Sequence, residues 1–121
     1  MTHQEFIGKL FEIEVVAHIA HLQVTGSGAY ADHTALNGLY DSIVGLRDRY
    51  AESIQGKEGI LTGYPQTIST KEGTDMIRYT KMMAEAVNDH RSKLQEGFLQ
   101  QICDDIMELL YSTHYKLKNL K

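Results

Sequence analysis

The chain has no tryptophan, a single cysteine (Cys103) and a single proline (Pro65). Each scarcity excludes something. One cysteine cannot form an internal disulfide, so a reducing, cytoplasmic setting is expected. One proline leaves few forced helix breaks in 121 residues rich in helix formers, and an all-α fold is expected. No hydrophobic run approaches membrane-spanning length, and MTHQEFIGKL carries no secretory signal pattern. Nor is there a large excess of one charge. The net charge of −4, with both signs well mixed, argues against nucleic-acid binding by bulk charge.

What the sequence does contain is helical periodicity, enough for one small domain spanning 1–121. Phe6, Leu10, Ile13, Ala17, Ala20 and Val24 recur at threes and fours and predict a first helix ending at TGSG. Leu36, Leu39, Ile43, Leu46, Tyr50 and Ile54 mark a second, from about Ala29 to Gln55, with Gly56 as its stop. The stretch GKEGILTGYPQTIST breaks the pattern and reads as a long crossover. A third helix is expected from Ser69 or, since Gly73 weakens that capping pattern, from Thr74, with Met76, Tyr79, Met83 and Val87 inward, His90 and Leu94 as further candidates for the stripe, and Glu96-Gly97 as the next turn. The fourth runs from Phe98 to about Asn119, burying Ile102, Ile106, Leu109, Leu110, Thr113 and Leu117. Short, long and short connections predict a four-helix bundle with one long crossover, the ferritin-like arrangement.

The second helix carries the chemical signal. With His33 at zero on a helical wheel, Asn37 falls at about 40°, Asp48 at about 60°, Asp41 at about 80° and Glu52 at about 100°. The apolar positions cluster at roughly 220–300°, so the polar stripe faces away from the chain's own core. His33 and Asp48 are about 22 Å apart along the axis, too far to share one ion within a chain. An antiparallel second copy, with its two-fold axis near Asp41 to Ile43, places His33 and Asn37 of one chain opposite Asp48 and Glu52 of the other. Gly38 and Gly45 beside the stripe would allow close approach of the two helices. His21 closes the first helix, and the TGSG turn brings it back beside His33. Two imidazoles, two carboxylates and an amide form an all-nitrogen-and-oxygen set that suits iron and tolerates zinc or manganese.

HLQVTGSGAYADH, residues 21–33, resembles a segment of the Dps family, the ferritin-like DNA-binding proteins from starved cells. That segment carries a histidine, a glycine turn and a second histidine twelve residues on. The family then places acids four, fifteen and nineteen residues further. Here those places hold Asn37, Asp48 and Glu52, and Ala51-Glu52 is similar to the family's Ala-Glu-Arg. Thr113 to Leu117 is similar to an aromatic segment late in its last helix. The resemblance implies a mini-ferritin. Iron(II) would be oxidised, usually by hydrogen peroxide, at intersubunit ferroxidase sites, and iron(III) stored inside a dodecameric shell. His21, His33, Asp48 and Glu52 would be the catalytic set. Asn37 stands where the family has an aspartate, which implies weaker iron binding, and Asp41 one turn on is placed to compensate. Leu22 replaces the family's tryptophan, the crossover shows no short helix, and there is no lysine-rich N-terminal arm.

Two other readings use the same residues: a redox-silent metal-binding member of the fold, and a DNA-compacting assembly. The second would rest on Lys116, Lys118 and Lys121, whose simpler role is favourable charge at a helix C-terminus. Glu14, His18 and His21 could form a second small metal cluster but read more simply as the polar edge of a helix. His3 is expected to be a mobile terminal residue, His90 a cap or surface residue and His114 structural. Met76, Met82 and Met83 are read as core filler and Cys103 as a packing residue. Asp104, Asp105 and Glu108 supply acidic charge early in the last helix.

Overall fold

A computed structural model describes residues 1–121. It consists of four helices, α1 (His3–Gln23), α2 (Ala29–Glu58), α3 (Met76–Arg91) and α4 (Gly97–Asn119). The expected stripes become a single core of 23 buried apolar residues. Leu46, Leu109, Ala20 and Val24, expected inward, pack against it only partly buried. Met82 is half exposed rather than core, while Met76 and Met83 are buried.

The helix ends differ from expectation where a local signal had a competitor. Thr2 and Glu5 form a reciprocal capping box at the start of α1. Gly56 does not stop α2. One glycine in a long helix costs only about 1 kcal/mol, and Lys57 just beyond it is tied to Glu96 at 3.0 Å. The stop is Gly59, at φ 94° with its N–H on the Gln55 carbonyl. α3 starts at Met76, because Asp75 accepts from the N–H groups of Ile77 and Arg78. Thr74 instead donates its hydroxyl to the Lys71 carbonyl, closing the turn before the cap.

The crossover, residues 59–75, runs along α1. Gln4 donates to the Thr62 carbonyl, and Gln55 accepts from both the Leu61 N–H and the Tyr64 hydroxyl. Pro65 lies so close to Gly8 that a Cβ there would sit 2.8 Å from the proline ring. Residues 70–75 then reach the far end of α1, walling a cavity of about 500 Å³ with Val16, Ala20, Val24 and Leu36. α3 therefore starts beside the α1–α2 turn and runs parallel to α2. α4 returns to the same end, where Lys121 bonds Asp32. α1 packs on α2, α2 on α4 and α4 on α3, while the α1 and α3 backbones stay further apart and meet through side chains, Phe6 stacked on His90 and the Tyr79 hydroxyl donating to Glu12 at 2.7 Å. No helix is long and apolar enough to cross a membrane.

Candidate metal site at the α1–α2 turn

Gly28, at φ 82°, occupies the N-cap of α2, a left-handed conformation that glycine adopts without strain. This turn folds α2 back on α1 and puts the rings of His21 and His33 3.7 Å apart, inclined by 30°. The His33 Nδ1 lies 3.1 Å from the His21 carbonyl. A carbonyl only accepts, so Nδ1 carries a proton and Nε2 is the ring nitrogen left to offer a lone pair. A backbone bond of this kind commonly fixes the tautomer and ring direction of a metal-binding imidazole.

His21 is buried, and its Nδ1 has no hydrogen-bond partner. Burial lowers its pKa and the neighbouring His33 and His18 lower it further, opposed by the His18 backbone and, least, by the Asp41 carboxylate. The ring is therefore neutral near pH 7, the form that binds a cation. Two buried side-chain nitrogens lack a partner, His21 Nδ1 and His90 Nδ1, and of the two it is His21 that lies against the ring of exposed His33 on the polar stripe.

Tyr40, which sequence reasoning did not single out, organises the rest. Its ring stacks on His18 at 3.9 Å and 5°, and stands edge-on to His21 at 5.1 Å. Its hydroxyl donates to Asn37 Oδ1 at 2.6 Å, and Asn37 Nδ2 donates to Asp41 at 3.2 Å. The available signal was its position seven residues after His33, which returns it to the same face of α2.

The polar stripe faces outward as expected. His33, Asp41, Asp48 and Glu52 are exposed and Asn37 half-buried. Gly38 and Gly45 are exposed, with open space above each. Asp48 is oriented by Arg47, whose Nε donates to it at 3.2 Å. The same guanidinium bonds Glu14 at 2.6 Å and lies 4.0 Å from the Phe11 ring centroid. Glu14, His18 and His21 are not placed to hold a metal ion together. Within one chain the structure pairs His21 with His33 and, separately, Asn37 with Asp41, and brings neither Asp48 nor Glu52 to them. These two acids lie about 22 and 28 Å along α2 from His33. No three His, Cys, Asp or Glu side chains of a single chain are placed to hold a metal ion.

Two histidines differ from expectation. His90 is buried, neither cap nor surface, and stacks on Phe6 at 4.0 Å. His3 is anchored rather than mobile, with Nδ1 2.8 Å from the Tyr50 hydroxyl. The reason is the same for both: Tyr50 bonds each of them across the core. His114 donates to the Ile77 carbonyl in a structural tie between α3 and α4. Cys103 is buried, and burial pushes its thiol up to about 12, so it packs and does not react. Asp104 and Asp105 are engaged by Arg91 and Arg49. Of the three C-terminal lysines, Lys116 and Lys118 form no ion pair, while Lys121 is held by Asp32 and the Leu117 carbonyl.

Residues 21–117 match the family of unknown function DUF5856. The chain belongs to that family. The matched stretch contains all six residues of the polar site. No curated protein and no solved structure matches the chain.

Proposed function

We propose that this chain is a Dps-like mini-ferritin that binds iron between two-fold-related copies, oxidises iron(II) with hydrogen peroxide and stores iron(III) in an oligomeric shell, a dodecamer by the same resemblance. The observation that carries the reading is the His21–His33 pair. It comprises a neutral buried ring with an unpartnered nitrogen and a second ring whose Nδ1 is tied down so that Nε2 is free. These nitrogens sit at one end of an exposed polar stripe whose other end is acidic.

An antiparallel copy joins imidazoles to carboxylates. His21 and His33 of one chain then face Asp48 and Glu52 of the other, giving two equal sites per dimer. Exposed Phe11, on α1, lies against Arg47 beside this face and would be covered by the second copy. Arg47 fixes one oxygen of Asp48 and leaves the other for the ion. Two ferrous ions, the substrate, each give one electron. One peroxide and two protons take both electrons to form two waters. Carboxylates favour the ferric product because they are hard anionic ligands.

The same donor set holds zinc or manganese without turnover. That reading is favoured by one observation, the neutral amide of Asn37 where a carboxylate would assist oxidation. Ferrous loading without oxygen, followed by peroxide, separates the two. The ferroxidase reading predicts a ferric absorbance rise in the wild type that His33→Ala and Glu52→Ala abolish. Metal binding without that rise leaves the redox-silent reading. A stable monomer in solution contradicts both.

A further inference from the structure

The cavity of about 500 Å³ under the end of the crossover has the size of a small-molecule site. Its floor is apolar. Val16 and Ala20 of α1, Leu36 of α2 and Leu117 of α4 meet there, and Met76 closes the side toward α3. The segment passing over this floor is Thr70-Lys71-Glu72-Gly73-Thr74, which has no apolar side chain to lay on it. Gly73, at φ 72°, turns the chain there without adding a side chain at all. The space between the helices is thus left open by the residues that cross it. An aliphatic chain of several carbons would take the floor out of water.

The rim decides the head group. Three carboxylates, Asp32, Glu72 and Asp75, line the cavity against one lysine, Lys71. Asp32 and Asp75 stand at the N-termini of α2 and α3, whose dipoles offset part of their charge, but Glu72 does not. α1 ends at this wall with Gln23, and the carbonyl end of a helix adds negative potential. The chain itself shows what the rim accepts. The primary ammonium of Lys121 stands 3.4 Å from Asp32 Oδ1 and 3.0 Å from the Leu117 carbonyl, and both acceptor residues line the cavity. Lys121 is exposed and its contact with Asp32 is long, so a second ammonium can take its place.

We propose that this cavity binds a small amphipathic amine, with its aliphatic chain on the floor of Val16, Leu36 and Leu117 and its ammonium on Asp32 in exchange for Lys121. The site is separate from the metal reading and does not depend on it.

Isothermal titration of the full chain with n-octylamine, n-octanol and octanoate at pH 7 tests the assignment. The amine is charged at that pH, as a lysine is. It should bind saturably and more tightly than the alcohol, with the carboxylate weakest. Asp32→Asn should weaken the amine about fivefold and leave the alcohol unchanged. Lys121→Ala, a change at an exposed position, removes the competing ammonium and should strengthen the amine alone. Ala20→Leu fills the floor and should abolish binding of all three, with circular dichroism to show that this variant folds. Octanoate binding as tightly as octylamine, or amine binding that neither Asp32→Asn nor Lys121→Ala alters, overturns the amine assignment. No saturable binding of amine or alcohol, or binding that survives in folded Ala20→Leu, overturns the site.

Discussion

The bundle has a histidine cluster at each end, three histidines and a tyrosine at the α1–α2 turn and two histidines and a tyrosine at the other. At the turn end, His21, His33 and Tyr40 leave nitrogens with lone pairs beside an exposed polar stripe. At the other end, the Tyr50 hydroxyl stands 2.8 Å from both His3 and His90, and His90 stacks on Phe6 under the crossing helices. Tyr50 and His90 are both buried. The second cluster closes the first turn of α1 onto α2 and α3. Composition alone does not separate the two. What separates them is whether the tyrosine hydroxyl bonds an imidazole nitrogen; Tyr50 takes one nitrogen of each histidine and still leaves His90 Nδ1 buried and unpaired. Tyr50 bonds histidines directly, whereas Tyr40 bonds Asn37 and touches the imidazoles only through its ring.

The comparison breaks if the closed cluster proves dispensable for stability. Tyr50→Phe strands the buried Nε2 of His90 and unties the half-buried His3, and should cost about 2–3 kcal/mol in denaturant unfolding, while His33→Ala should stay within about 1 kcal/mol. Equal effects would mean that the ends are not different in kind.

A similar distinction should show in pH. Burial, aided by the N-terminal ammonium and His3, lowers the His90 pKa from 6.5 to about 4. The folded state therefore resists protonating this ring, whereas the unfolded chain protonates it readily. Stability is fully present above about pH 6.5 and is lost as pH falls toward 4, by roughly 2–3 kcal/mol in all. His90→Gln should flatten that stretch of the stability–pH curve, and an unchanged slope would show that His90 does not carry it.

The smallest effect concerns how the crossover is held. Gly8→Ala places a methyl 2.8 Å from Pro65 and should cost about 1–2 kcal/mol by displacing the strap. Metal binding at the far end of α1 should be unaffected, and a parallel loss there would mean that the two ends are coupled.

The polar stripe of α2 was legible because exposure on a long helix follows from period alone. His33, Asp48 and Glu52 needed no knowledge of the rest of the chain to be placed outside. The TGSG turn similarly placed His21 beside His33. Tyr40 and Arg47 were not legible, since their roles depend on partners from α1: His18 for one, Glu14 and Phe11 for the other. His3 and His90 were misplaced for the same reason. Imidazole suits surface and core equally, and the deciding partner, Tyr50, lies 47 and 40 residues away. Gly56 looked like a helix stop because a single glycine's small penalty cannot be weighed without the contacts that outvote it.

The central claim is that imidazoles and carboxylates of one site come from different copies. It is tested by mixing two variants that are each inactive alone, His33→Ala and Glu52→Ala, refolding them together and measuring metal binding. A mixed pair has one site with both defects and one with neither, so equal mixing should restore about a quarter of the wild-type sites. If mixing restores none while mixed assemblies form, the site does not span two copies and the account is wrong.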